Sequence, residues 1–252
     1  EENGDGLHFA VACRIIKDPA SPVIINSHRM EQKTVKNKFT VLISVVTDRE
    51  NKAPVEAARR LLDEAETDGI EQLKADKDNW YKNFWSNAFM KLGDDYLENI
   101  YYLRRYLMAA GSQGEFPVAF NGGLWRWNRD VMNWVTPHHW NTQQQYWGLC
   151  AQNDCQLMAP YLDTYFKMIP SAKEYGASDD ALLITEAHCF TGEQTGKDRE
   201  DMRNNFTPAS QIASLFWDYY AFTGDKDFLK SKAYVFMKKA ANFYLEKLQW
   251  DA

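Results

Sequence analysis

Residues 207–248 read TPASQIASLFWDYYAFTGDKDFLKSKAYVFMKKAANFYLEKL and carry the signals of two consecutive helices. Thr207 predicts an N-cap, and Pro208 suits the first helical position, where its missing N–H would have no partner anyway. Gly224 predicts the end of the first helix, and Asp225 predicts the cap of the second. Because the connection between them is so short, the stretch predicts a helical hairpin.

The same signals recur upstream of this hairpin. Pro54 opens the helix-forming run VEAARRLLDEA, and Asp94 predicts the N-cap of DYLENIYYLRRYLMAAG, with Gly111 as its end. Further helices are predicted over about 141–151 and 155–168. Beyond residue 50, the only strand-like run is ALLIT at 181–185. The sequence therefore predicts a mainly α fold.

The first fifty residues follow a different pattern. LHFAVACRI at 7–15 and KFTVLISVVTD at 38–48 alternate and are rich in β-branched side chains, which predicts strands. Two or three strands cannot form an independent sheet core. They either lean on the helical part or are the last strands of a larger sheet.

Composition limits the classes of function. The chain has 252 residues, of which 45% are hydrophobic and 14% aromatic, ample for a core. The net charge of −6 and the absence of a long Lys/Arg run argue against nucleic acid as a partner. No apolar stretch approaches the roughly 20 residues that span a bilayer, and the first residues do not resemble a signal peptide.

The four cysteines form no CxxC pair, which argues against a zinc knuckle or a thioredoxin-type site. Buried free thiols are expected. Cys150 and Cys155 are too far apart on a continuous helix for a disulfide, although a break between them would permit one. The adjacent His138 and His139 lack a third spaced ligand, so we expect no metal. No cofactor is expected either.

The stretch GGLWRWNRDVMNWVTPHHWNTQQQYW at 122–147 contains five of the nine tryptophans, two adjacent histidines and a run of amides. Flat aromatic faces stack on apolar faces of flat ligands, while amides and imidazoles bind hydroxyl groups around the rim. Sugars combine C–H faces with a girdle of hydroxyl groups. This stretch therefore predicts a carbohydrate site.

Six motifs, in order, resemble glycoside hydrolase family 95: WYKNFWSN, LENIYYLRRYLMAAGS, FNGGLWRWN, HHWNTQQQYWGL, MAPYLD and FWDYYAFTGDKDFLKSKAYVFMKKAANFYLEKL. Members combine an N-terminal β-sandwich, a helical linker and an (α/α)6 toroid of helical hairpins. Most are inverting α-L-fucosidases, and some are α-L-galactosidases. The resemblance implies that 1–50 are the C-terminal strands of a sandwich, 51–92 a linker and 93–252 the first half of the toroid. The chain is then expected to be a fragment, with the remainder of the polypeptide as its partner.

The resemblance also implies roles for individual residues. Asn141 matches one of two asparagines that help to hold the hydrolytic water, whereas His139 stands where the family has the other, so a different sugar or linkage is plausible. In the family, the general acid and base lie further along than Ala252, so both are expected outside this chain. Export to a periplasmic or extracellular location is expected from the family.

Sugar contacts are expected from the tryptophan-rich stretch and from LLITEAHCF at 182–190: Trp125, Trp127, His138, His139, Trp147, Glu186 and His188. Of Trp125 and Trp127, one is expected to stack on the ligand and the other to pack in the core, and the match of Trp125 to the family's Gly-x-Trp favours Trp125 as the ligand contact. Plainer interpretations also stay open for three others. Glu186 could be a solvated or ion-paired loop residue, His188 a core histidine and Trp147 a core side chain.

The expected function is hydrolysis of a terminal sugar from an oligosaccharide or glycan, with inversion. Two alternatives stay open. One is a non-catalytic carbohydrate-binding or degenerate homologue. The other is a different six-hairpin glycosidase or a phosphorylase.

Overall fold

The computed structural model describes residues 7–16, 23–26, 29–33, 38–118, 139–171, 178–188 and 204–248. The chain divides into two compact units, Glu1–Trp85 and Ser86–Ala252. The described part is mostly helical, with a few short strands. The prediction of a mainly α fold is thereby confirmed.

The first unit contains all the described strands: β1 (Phe9–Ile15), β2 (Val23–Asn26), β3 (Arg29–Glu31) and β4 (Val41–Thr47). β1 pairs antiparallel with β4, and β2 pairs antiparallel with β3. Helices α1 (Pro54–Asp68) and α2 (Ile70–Ser86) follow. The two strands predicted over 7–15 and 38–48 are confirmed.

One face of the β1–β4 pair packs against α1. Ala10 and Ala12 pack with Val46 against Ala57 and Ala58, small side chains that allow a close approach. Large apolar side chains occupy the opposite face and are each more than half exposed: Phe9 (65%), Val11 (59%), Ile43 (67%) and Val45 (57%). The β1–β4 pair therefore buries the face with small side chains and exposes the face with large apolar side chains.

The second unit is built from helices: α3 (Asp95–Gly111), α4 (His139–Tyr146), a 3-10 turn (Cys155–Met158), α5 (Ala159–Lys167), α6 (Pro208–Thr223), α7 (Lys226–Phe228), a π-helical turn (Leu229–Ala233) and α8 (Tyr234–Lys247). Asp94 caps α3 by accepting from Tyr96 N and Leu97 N at 3.0 and 3.1 Å. Asp225 caps α7, and Gly224 ends α6 with a φ of 67°. These predicted caps are confirmed.

Two local predictions differ from the structure. α6 begins at Pro208 as predicted, but the hydroxyl of Thr207 does not cap it and instead donates to Asn205 Oδ1 at 2.8 Å. The ALLIT run at 181–185 is not a strand. It is buried against α8, where Leu182 N donates to Lys239 O at 2.9 Å. Its apolar side chains are buried by a helix rather than by a sheet.

The expectation of free thiols at Cys150 and Cys155 is wrong. α4 ends at Tyr146 instead of continuing to about 151, and the turn that follows contains Gly148 and Asn153, both with positive φ. This turn brings the two Cα atoms to 4.2 Å, and the cysteines form a disulfide. Cys13 is free and exposed.

Replacing both Cys150 and Cys155 by serine is expected to lower the free energy of unfolding by about 2 kcal/mol, because the disulfide restricts a short loop in the unfolded chain. Urea unfolding followed by circular dichroism measures the change. Cys13→Ser is the control and should leave the unfolding midpoint unchanged. An unchanged midpoint in the double variant would show that this disulfide contributes nothing to stability.

A buried ion pair ties this turn to α3. Arg105 Nε and Nη2 each donate to a carboxylate oxygen of Asp154 at 2.8 Å, and both side chains are fully buried. Arg105 Nη1 also donates to Ala88 O at 2.9 Å. The hydrogen bonds to Asp154 raise the pKa of Arg105. The pair fixes the connection that leaves α4, the helix that carries the candidate site.

Candidate functional site

The candidate site is centred on α4, whose sequence HWNTQQQY contains only polar and aromatic residues. His139, Thr142, Gln143 and Tyr146 are each at most 1% exposed. Their spacing places them on one face of the helix. Tyr146 anchors this face, because its hydroxyl accepts from Val118 N at 2.9 Å and lies 3.2 Å from Ser112 Oγ. The other three bring polar atoms into the interior.

Glu186 lies at the N-terminus of α4 and engages both of its carboxylate oxygens. Oε1 accepts from Trp140 N at 3.1 Å, and Oε2 accepts from Asn205 Nδ2 at 3.0 Å. His139 Nδ1 lies 3.3 Å from the same Oε2, and His139 N donates to Glu186 O at 2.8 Å. A carboxylate at a helix N-terminus is favoured by the free N–H groups and by the helix dipole. We call Glu186, His139 and Asn205 the Glu186 cluster.

Several polar atoms on the same buried face of α4 lack a hydrogen-bond partner among the described residues. Gln143 Nε2 donates to Gln211 Oε1 of α6 at 3.0 Å. Within the described part of the chain, His139 Nε2, Thr142 Oγ1 and Gln143 Oε1 have no hydrogen-bond partner. Leaving such an atom unpaired costs about 1–3 kcal/mol. Each of these atoms can therefore take a further hydrogen bond from a group that the described residues do not supply.

His188 lies in an aromatic part of the core. It is fully buried, and its ring meets that of Tyr165 edge to face at 5.0 Å. Tyr165 packs in turn on Tyr161, and Tyr161 on Tyr146, at 4.7 and 4.5 Å between ring centroids. Burial raises the pKa of Tyr165, so this hydroxyl stays neutral. Although His188 is only two residues from Glu186 in the sequence, its side chain is buried beside Tyr165 and not at the surface.

Asn141 lies on a different side of α4 from His139. Residues two apart on a helix are separated by about 200° around its axis. Asn141 lines a groove of about 520 Å³ between α4 and α3, together with Ile100, Leu103, Arg104, Leu107, Met108, Gln144 and Gln145. Arg104 closes one part of the groove by donating to Gln145 O and Trp147 O, each at 2.8 Å. The two positions that the family resemblance pairs thus face different surroundings.

Trp147 is not a core side chain. It is 44% exposed, as is Trp140, and their rings meet edge to face at 5.4 Å. Two half-exposed indoles side by side form an aromatic surface on which the apolar face of a ligand can stack. Trp125, Trp127 and His138, also predicted to contact sugar, lie outside the described residues.

Asn205 and Gln211 also contact the site, although neither is predicted from the sequence. Asn205 belongs to a short polar segment before α6, and Gln211 has ordinary helical neighbours. Neither has a local signal that points to residues 186 or 143, because the contacts join distant parts of the chain. Among the described residues, no cluster of His, Cys, Asp and Glu could hold a metal ion. Nor does any described helix have the length and apolar character needed to cross a membrane.

Comparison with known proteins places these residues in a family. The alpha-L-fucosidase 2 of Arabidopsis thaliana is 26% identical over 162 residues, which cover 60% of this chain and 19% of that protein. The chain therefore spans about a fifth of the length of this relative. Residues 47–252, which include α4 and the Glu186 cluster, match the glycosyl hydrolase family 95 catalytic domain. On this match the chain belongs to glycosyl hydrolase family 95.

Proposed function

We propose that the chain is part of a glycoside hydrolase that removes a terminal sugar, of α-L-fucose or α-L-galactose type, from glycans with inversion. The observation that carries the proposal is the buried face of α4, in a family-matched segment, with three polar atoms that a sugar's hydroxyl groups would pair. Of the two sugars, α-L-fucose is supported by the name of the Arabidopsis relative, alpha-L-fucosidase 2.

Within this proposal, the residues of α4 have separate roles. His139 binds a hydroxyl group of the sugar through Nε2, and Asn141 helps to orient the hydrolytic water. Because they lie on different sides of α4, they contact different parts of the reacting system. Trp147, beside Trp140, provides a stacking surface. The general acid and base are supplied by sequence outside this chain, as the family resemblance implies.

The proposed architecture keeps the domains expected from the resemblance: 1–50 from a β-sandwich, 51–92 as a linker and 93–252 as the first half of an (α/α)6 toroid. The exposed apolar side chains of β1 and β4 support the first of these, since a second sheet covers such a face in a sandwich. The short connection after α6 supports the last, because the chain turns there and α8 then packs against α6 as in a helical hairpin.

A periplasmic or extracellular location belongs to the same proposal. Its support in this chain is the Cys150–Cys155 disulfide. Disulfides persist in oxidising compartments and are rare where glutathione and thioredoxin keep thiols reduced.

A glycan panel tests the activity in the protein at its full natural length. Oligosaccharides with terminal α-L-fucose, α-L-galactose or α-L-rhamnose are incubated with the protein, and the released sugars are measured by chromatography, with and without phosphate. Release of fucose or galactose without phosphate is expected. Glycan binding without release would support a binding protein, and release that requires phosphate would support a phosphorylase. Either of these results would contradict hydrolysis.

A further inference from the structure

We propose that Glu186 and Asn205 are positioning residues for His139, which hold its proton on Nδ1 and leave Nε2 as an acceptor for a substrate hydroxyl group. This inference rests on the proposed function and deepens it. In this inference Glu186 contacts His139, and His139 contacts the sugar.

The hydrogen bonds of Glu186 determine where the proton of His139 lies. An ionised carboxylate can only accept, so each polar hydrogen-bonding group that it meets must donate. Trp140 N donates to Oε1, which leaves Oε2 for the side chains of Asn205 and His139. His139 Nδ1, at 3.3 Å from Oε2, therefore carries the proton. A neutral imidazole with its proton on Nδ1 has an acceptor at Nε2.

Asn205 is itself held in one orientation. Its Oδ1 accepts from Thr207 N at 3.2 Å and from Thr207 Oγ1 at 2.8 Å. This contact turns the amide so that Nδ2 faces Glu186. Asn205 thereby adds a donor on the same carboxylate oxygen that His139 meets and keeps the carboxylate in place.

The surroundings of His139 restrict the ring and leave Nε2 available. The side chain is 1% exposed, and its own backbone N–H is bound to Glu186 O at 2.8 Å. Nε2 has no hydrogen-bond partner among the residues that the structure describes.

Two substitutions at residue 186 separate positioning from a structural role. In Glu186→Gln, Oε1 can still accept from the rigid Trp140 N–H, but the new amide N–H₂ then faces His139 and favours the tautomer with the proton on Nε2. We expect kcat to fall by about 100-fold or more, since a wrong histidine tautomer costs up to about 10⁴-fold in a serine protease. Glu186→Ala imposes no tautomer, so it should lower kcat less while lowering the melting temperature more.

Which of the two variants has the lower kcat decides whether Glu186 positions His139 or only supports the fold. If Glu186 only supports the fold, Glu186→Gln retains more activity than Glu186→Ala, and the inference is wrong. The lower melting temperature of Glu186→Ala is expected in either case. Glu98→Gln is the matched control. Glu98 also accepts from two backbone N–H groups, of Leu92 and Gly93 at 2.7 and 2.9 Å, and should leave kcat unchanged.

A direct measurement of the tautomer does not depend on activity. In ¹⁵N-histidine-labelled protein, NMR should show His139 with its proton on Nδ1, and the signals are assigned by their loss in His139→Gln. A proton on Nε2 in the unsubstituted protein would overturn the inference even if sugar is released. If no glycan is hydrolysed but the proton lies on Nδ1, the proposed function fails and the positioning of His139 by Glu186 stands.

Discussion

Replacing Arg105 by methionine is expected to lower the free energy of unfolding by about 3–5 kcal/mol. The substitution leaves the carboxylate of Asp154 fully buried without its cationic partner. It also removes the hydrogen bond to Ala88 O. Urea unfolding monitored by tryptophan fluorescence measures the loss.

Two further variants show whether the loss comes from the unpaired charge. Arg60→Met removes an exposed arginine that pairs with Glu64 at 3.6 Å, and it should cost at most about 0.5 kcal/mol. Arg105→Met combined with Asp154→Leu should recover much of the loss, because it removes both charges of the buried pair. A single Arg105 variant as stable as the unsubstituted protein would contradict this account of the core.

Replacing Asn141 by alanine is expected to lower kcat by about 100-fold while changing KM only modestly. A residue that orients the attacking water interacts most strongly in the transition state, so its loss appears mainly in kcat. The magnitude follows that of removing one hydrogen-bonding group that stabilises a transition state. Steady-state kinetics on the best substrate of the glycan panel measure both constants.

Gln144→Ala is the matched control for Asn141. Gln144 is also an amide and lines the same groove, but it has no counterpart in the proposed water site. It should therefore leave kcat close to that of the unsubstituted protein. An unchanged kcat in Asn141→Ala, or an equal loss in Gln144→Ala, would remove the special role of Asn141.

Sequence predicted those parts of the fold that local chemistry determines. Asp94 and Asp225 cap helices because an aspartate oxygen reaches N–H groups two or three residues ahead. Gly224 ends α6 because glycine adopts positive φ without strain. Thr207 shows the limit of this reasoning, since Asn205 competes for its hydroxyl and the expected cap does not form.

Contacts between distant residues were not predictable in the same way. The Cys150–Cys155 disulfide depends on where α4 ends, and a boundary wrong by a few residues changed the expectation. For the site, the sequence indicated His139 and Glu186 separately. Their contact, and the part of Asn205 in it, depend on how residues 178–188 and the segment before α6 meet α4. No local sequence pattern predicts a contact between segments so far apart in the chain.

The configuration of the first sugar released tests whether the protein is an inverting glycosidase. A fucosylated or galactosylated oligosaccharide with a terminal α-linkage is mixed with the protein at its full natural length, and ¹H NMR spectra of the anomeric protons are recorded from the start of the reaction. Hydrolysis with inversion predicts that the β-anomer appears first and then equilibrates. Initial release of the α-anomer would contradict inversion, and release of no sugar would contradict the glycosidase account itself.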